Sequence, residues 1–311
     1  MNNNNIEILK FLAKHFNTLI FDTETTGIDP KTNQIIDLGV LRLKEDGSTE
    51  EAFNHLIKLG KDEKVSEEIT NITGITQEML DNEGISRVQA RKDFSALFYN
   101  AKPTLLMAYN TQFDAQFINR FVIVDKDKPL NVNWIDIMAF YKEEAKYPHK
   151  LCDAIETYGL QDEVQNSHRA MDDTYACFMV FKKIIENRDI EDVLEHINLF
   201  GFNANYGLPD TILNSVNNNS KNNILYVPQS QKGHNRINDT GVIDLTYDPN
   251  ETDYKVVPFG NLKAKYFSTK EEAVAFIEEQ NTLIGPLYKE IINVDTDEVV
   301  YNFLKENGGI N

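Results

Sequence analysis

An open α/β sheet with helices packed on it, followed by a small α+β unit, is the architecture this sequence predicts. Three observations lead there. Short apolar runs come first as three neighbours and then alternate with amphipathic stretches, in the order β-β-β-α-β-α-β-α. An Asn/Ser-rich segment then interrupts the chain with almost nothing to bury, and apolar segments resume beyond it. Finally, 311 residues with 41% hydrophobic and 26% charged side chains exceed the usual single-domain size while keeping an ordinary globular composition.

Taken in order, Ile6, Leu9, Leu12 and Ala13 recur at helical intervals over 5–16, and Asn17 separates them from the strand-like Leu19, Ile20 and Phe21. Segments 35–43 (IIDLGVLRL) and 52–58 (AFNHLIK) read as two further strands, with Glu45, Asp46 and Gly47 supplying the turn between them. Helical patterns near 86–100 and 112–120 alternate with the apolar runs TLLMAY and VNWIDI. A helix over 150–158 stops at Gly159, a long one covers 171–186, and another is expected at 189–199. This divides the chain into a domain at 1–200, a linker at 201–223 and a small α+β unit at 224–311. The last contains ILYV, VIDLTY, a helix at 270–280 and VVYNFL.

Composition narrows the function. A formal charge of −18 opposes a general nucleic-acid-coating surface, because phosphate affinity comes from Lys and Arg. It does not oppose an enzyme that holds a few terminal nucleotides and recruits cations. No apolar run approaches the ~18 residues of a membrane span, and the amino-terminal sequence lacks signal-peptide order, so a cytoplasmic protein is expected. Cys152 and Cys177 have no zinc-like spacing and are expected to be buried apolar residues.

Three segments carry chemistry. LIFDTETTG places Asp22 and Glu24 two apart at a strand end, on one face of the sheet, with Thr23 on the other. Strand interiors are poor in acids, and two carboxylates ~4 Å apart repel by roughly 4 kcal/mol at an effective dielectric of ~20. In AYNTQFDAQFINR, Asp114 opens a helix after an apolar strand; in NSHRAMDDTYACF, a loop histidine, His168, precedes Asp173 by five residues. Each has an ordinary structural alternative: a polar strand end, a helix-start residue, or acids favouring a helix dipole. Their joint occurrence is what argues for a site.

Together the three segments resemble motifs I, II and III of the DnaQ-like 3′→5′ exonucleases, in the subgroup with four acids and a histidine. The chain supplies Asp22-Thr-Glu24-Thr-Thr-Gly27, then Asn110-Thr-Gln-Phe113-Asp114, then His168-Arg-Ala170-Met-Asp-Asp173. NITGIT at 71–76, WIDI at 134–137 and HKLCDAIETYGL at 149–160 match lesser family features, so the resemblance covers about 18–186. It departs at Tyr109, where the family commonly has histidine; a tyrosine would still offer a donor near the scissile end.

The resemblance implies an RNase H-like mixed sheet and phosphodiester hydrolysis assisted by two Mg²⁺ or Mn²⁺ ions. Asp22, Glu24, Asp114 and Asp173 would be the ligands and His168 the general base, since neutral imidazole accepts a proton near pH 7. His149 is the rival base, while His15, His55, His196 and His234 are expected to be structural or surface groups. Backbone amides over Thr23, Thr25, Thr26 and Gly27 would approach the terminal nucleotide together with Asn110, and Phe113 and Phe117 would stack on its bases or pack in the core. Asp172 is assigned to the helix start and solvent. Single-stranded DNA 3′ ends are the expected substrate, with a DNA polymerase or replication protein as a possible partner. The alternatives are trimming of RNA ends and docking on an inactive exonuclease scaffold.

Overall fold

The computed structural model describes residues 4–123, 132–201, 225–226, 254–258, 265–267, 269–284, 288–293 and 299–302. The amino-terminal helix α1 (Asn4–His15) leads into β1 (Asn17–Thr25), β2 (Ile35–Leu43) and β3 (Thr49–Leu56). Three short helices, α2 (Glu67–Thr73), α3 (Gln77–Glu83) and α4 (Arg87–Ala96), precede β4 (Thr104–Ala108), α5 (Thr111–Phe121), β5 (Val132–Asp136) and α6 (Ile137–Glu144). Then come α7 (Leu151–Thr157), α8 (Ala170–Ile184) and α9 (Ile190–Glu195).

Five strands form one mixed sheet in the order β3-β2-β1-β4-β5. The β1–β2–β3 meander is antiparallel, whereas β4 and β5 run parallel to β1. The expected α/β sheet flanked by helices is therefore what the chain forms. Alternation along β1 sorts its side chains between two cores. Ile20 lies with Leu12, Ala176, Cys177 and Val180 on the face covered by α1 and α8, while Leu19 and Phe21 lie with Phe94, Ala115 and Ile118 on the face covered by α4 and α5. Asp22 and Glu24 continue the first face and Thr23 the second.

Several expectations shift. The helices α2 and α3 were not anticipated; each is seven residues long, too short for a clear periodic pattern, but each carries its own start signal. Ser66 and Thr76 accept hydrogen bonds from the amides of Ile69 and Met79, and Gly74 ends α2 with a φ of 70°. The run VNWIDI is split, because the Asp136 carboxylate accepts from the Met138 amide and starts α6. The helix expected at 189–199 stops at Glu195, and Leu199–Phe200 forms a short strand, β6. Cys152, expected to be buried, is exposed; Cys177 is buried.

After β6 come β7 (Leu225–Tyr226), β8 (Tyr254–Pro258), β9 (Lys265–Phe267), α10 (Lys270–Ile284), β10 (Tyr288–Asn293) and β11 (Val299–Asn302). Four of these strands form a sheet in the order β11-β10-β8-β9, and Val256, Ala273, Ile277, Tyr288 and Ile291 are buried together between the sheet and α10. The linker residues 202–223, VIDLTY and His234 lie outside the described residues.

Candidate active site

The first motif sits at the carboxyl end of β1, where Asp22 and Glu24 are half-buried side by side. Asp114 reaches them from the opposite side of the sheet. It lies in the first turn of α5, whose start is pinned because the Asp136 carboxylate accepts from the Thr111 amide at 3.2 Å and the Thr111 hydroxyl donates to the carbonyls of Ala108 and Ile135. Thr23 holds the acid in place: its hydroxyl donates to Asp114 Oδ1 at 2.5 Å and its amide to the same oxygen at 3.2 Å. Thr23 was expected to meet the nucleotide through its backbone amide, and that amide is instead directed at a carboxylate.

The third motif arrives with α8. Glu24, His168 and Asp173 present one ligand atom each, all within 4.8 Å of one another. His168 is exposed and adopts a φ of 53°, a left-handed conformation that turns the chain immediately before α8. Asp173 is buried, and its Oδ1 has no hydrogen-bond partner.

Two residues not singled out from the sequence complete the surroundings. Asp37 pairs with Glu24 across β1 and β2 and is 2% exposed. Its Oδ2 accepts from Arg169 Nε at 3.0 Å and from the Ala170 amide at 3.3 Å, anchoring the chain just after His168. An acid in the mostly apolar run IIDLGVLRL was the available signal.

The electrostatics follow from crowding acids in a poorly solvated site. Burial, then Asp114, Glu24 and Asp173, push the Asp22 carboxyl well above its ordinary range. Glu24 is raised to about 8, by burial first and then by Asp173, Asp37 and Asp114, with Arg169 opposing. Burial also raises Asp114 to about 7 against the hydrogen bonds from Thr23, and Asp173 to about 6 against the nearby His168. Among the described residues no Lys or Arg forms an ion pair with any of these four acids. Such a set of hard oxygen donors, with one buried oxygen left unpaired, fits divalent cations.

The remaining sequence candidates divide. Gly27 has a φ of 154°, and a Cβ there would lie 2.7 Å from Asn33 Oδ1, so the turn after the acids requires glycine. Thr25 is buried and donates to the Gly27 carbonyl at 2.7 Å, while the Thr26 hydroxyl accepts from the Gln34 amide. Asn110 starts α5 with a φ of 60°, and its Oδ1 is buried without a partner. Phe117 is 4% exposed within the core, whereas Phe113 is only partly buried and packs against it with ring centroids 5.2 Å apart. Tyr109 does not offer a donor to a substrate: its hydroxyl donates to the carbonyls of His149 and Lys150, at 3.1 and 3.3 Å. His149 itself lies with Nε2 3.0 Å from the Ala145 carbonyl. His196 stacks on Phe140 and contacts Glu143, and His55 packs on Phe53. Asp172, next to Asp173, accepts from the Ser167 hydroxyl.

Acids converging from β1, α5 and α8 at one end of a mixed sheet define a carboxylate-rich class of site. The sequence model of the exonuclease family matches residues 19–181, and the chain belongs to that family. It is 31% identical over 173 residues to a PolC-type DNA polymerase III from Thermotoga petrophila, covering 54% of this chain and 12% of that protein. It is 29% identical to the DNA polymerase III epsilon subunit of Treponema pallidum, covering 55% of this chain and 78% of the subunit. The chain thus spans about an eighth of the length of the PolC-type relatives. Among solved structures, E. coli exonuclease I in complex with a dT13 oligonucleotide is similar at 20% identity and a TM-score of 0.48, over 57% of this chain and 43% of that one. No described helix is long and apolar enough to cross a membrane.

Proposed function

We propose that this chain is a divalent-metal-dependent 3′→5′ exonuclease acting on single-stranded DNA ends, with Asp22, Glu24, Asp114 and Asp173 as metal ligands and His168 as general base. The observation that carries this reading is the convergence of four carboxylates and one histidine from three separate segments, with no Lys or Arg among the described residues ion-paired to any of the four acids. Two Mg²⁺ or Mn²⁺ ions held there would supply charge stabilisation for an in-line displacement at phosphorus and favour ionisation of the attacking water.

The chain's own residues do the rest. His168 is exposed beside Glu24 and Asp173, so a ring nitrogen can take the proton of the attacking water without first leaving a buried hydrogen bond. Thr23 fixes Asp114, and Asp37 with Arg169 fixes the backbone that carries His168. The turn at Gly27 leaves backbone close to the acids, where a terminal nucleotide needs main-chain donors, and Phe113 presents a partly open ring for stacking.

DNA is favoured over RNA by the likeness to chains named as DNA polymerase III components, and the same likeness suggests a replicative polymerase as partner. A docking role on an inactive scaffold is opposed by the complete set of acids. Oligonucleotides of DNA and of RNA, labelled at the 5′ end in one set and the 3′ end in another, test the reading. With Mg²⁺, 5′-labelled DNA should shorten through a ladder while the 3′ label is released at once as a mononucleotide. Release of the 5′ label first would overturn the polarity, and faster loss of RNA would overturn the substrate.

A further inference from the structure

Beside the acidic site lies a pocket of opposite character. Its volume is about 170 Å³, roughly ten times the ~10–15 Å³ that one water needs on the same measure, so it has room for a phosphate group. Lys31, Arg87 and Arg120 contribute to its walls, with Glu63 the one carboxylate among them. That carboxylate is already engaged, accepting from the Gly60 amide at 2.8 Å and from the Gln34 side chain. Arg87 is held by the neutral amide of Gln34 rather than by an acid. Among the described residues no carboxylate forms an ion pair with Arg87 or Arg120. Burial first, then the like charge of Arg91 and finally that of Arg120, lower the Arg87 pKa, with Glu63 opposing. Guanidinium groups gathered so closely in a chain of net charge −18 are stabilised by an anion.

Two of the pocket's lining residues tie it to the elements that carry the acids. Asn33 lines it, donates to the Thr26 carbonyl and packs against Gly27. Phe117 lines it from the same helix that carries Asp114, and its ring packs on Phe113. Asp114 near the start of α5 and Arg120 near its end thus place the acids and the basic pocket along one helix.

We propose that Arg87 and Arg120 form a phosphate subsite for the single strand, gripping a backbone phosphodiester upstream of the scissile bond. This rests on the exonuclease reading of the neighbouring acids. It gives an acidic protein a local foothold on nucleic acid, with the metal-ligating acids at the 3′ end and the guanidinium fork behind them.

The test is an R87Q/R120Q double variant of the full chain, compared with wild type on two substrates. One is the p-nitrophenyl ester of dTMP, which has a phosphodiester and no upstream phosphate; the other is a single-stranded DNA oligonucleotide long enough to reach the pocket. Binding of the same oligonucleotide, fluorescently labelled, is followed in Ca²⁺ by anisotropy over a range of salt. The variant should hydrolyse the ester at the wild-type kcat and KM, raise the oligonucleotide KM about tenfold, and flatten the salt slope of binding by roughly 0.7 for each phosphate no longer gripped. Unchanged oligonucleotide KM and salt slope would overturn the subsite, as would an equal loss on both substrates, which would mark the arginines as structural. The binding arm separates this from the parent reading. A wild type that binds the oligonucleotide but cleaves neither substrate refutes the exonuclease assignment, while the variant's affinity still decides for or against the pocket. A wild type that does not bind overturns both.

Discussion

Asp172 and Asp173 are adjacent acids in the first turn of α8, and helix geometry sends them in different directions. Asp173 is buried against Glu24 with an unpaired oxygen, while Asp172 accepts from the Ser167 hydroxyl at the rim. Asp173→Asn should lower turnover by several orders of magnitude and Asp172→Asn only slightly; steady-state kinetics on a short oligonucleotide would reveal the opposite ranking if the register is off by one. His168→Ala should cost about 10²–10⁴-fold in rate, the usual contribution of a general base, and His149→Ala far less, because the His149 ring is directed at the Ala145 carbonyl. The acids and the histidine were legible because three short segments together, in order and spacing, resemble the motifs of one family; taken singly, each has an ordinary structural reading. Asp37 was not, because its meaning depends on Arg169, 132 residues further on. Tyr109 misled for a similar reason: its hydroxyl is taken up by backbone 40 residues away.

At the scale of elements, the site depends on how closely α8 approaches β2. Gly39 lies opposite Asp22 in the sheet, and a Cβ there would fall 2.6 Å from the Met171 amide nitrogen and 2.7 Å from Ala170 backbone atoms. The Thr174 hydroxyl donates to the Gly39 carbonyl at 3.1 Å and closes the contact. Gly39→Ala must therefore lift the first turn of α8, carrying Asp173 away from Glu24. Overpacking of this kind costs about 1–3 kcal/mol. We expect a lowered thermal midpoint with a loss of kcat larger than the stability change alone explains, measured at a temperature where the variant is still folded. Full activity would mean that this approach does not set the site. The segment IIDLGVLRL announces a strand of the right extent, yet nothing local to it says that its glycine is a docking point for a helix far along the chain. The short helices α2, α3 and α6 were missed because their identity rests on capping residues, whereas the long helix α8 was visible from its periodicity.

Over the whole molecule, the clustered acids make stability depend on pH and on cations. Their folded-state pKa values, about 6 for Asp173, 7 for Asp114 and 8 for Glu24, lie above the unfolded values, so the folded form holds protons more tightly. Their protonated forms are tolerated at low pH, and the protein loses stability as pH rises from the ordinary carboxylate range of ~4 up to about 8, with Asp114 and Glu24 carrying the part above 6. In EDTA the thermal midpoint should fall across that window, Mg²⁺ should raise it more at pH 8 than at pH 6, and Glu24→Gln should flatten the dependence. A midpoint that rises from pH 6 to 8 in EDTA would contradict the burial of these acids. All of the clustered acids among the described residues lie within 22–173, so a chain cut near residue 203 should keep turnover on short oligonucleotides within a few-fold. The most direct measurement is the single-turnover rate on 5′-labelled single-stranded DNA as Mn²⁺ is titrated into metal-free protein, for wild type and Asp22→Asn. The rate should rise from nothing with wild type and stay near zero with the variant, whereas cleavage in EDTA, or an undiminished rate with Asp22→Asn, would contradict the assignment of these acids as a metal-dependent exonuclease centre.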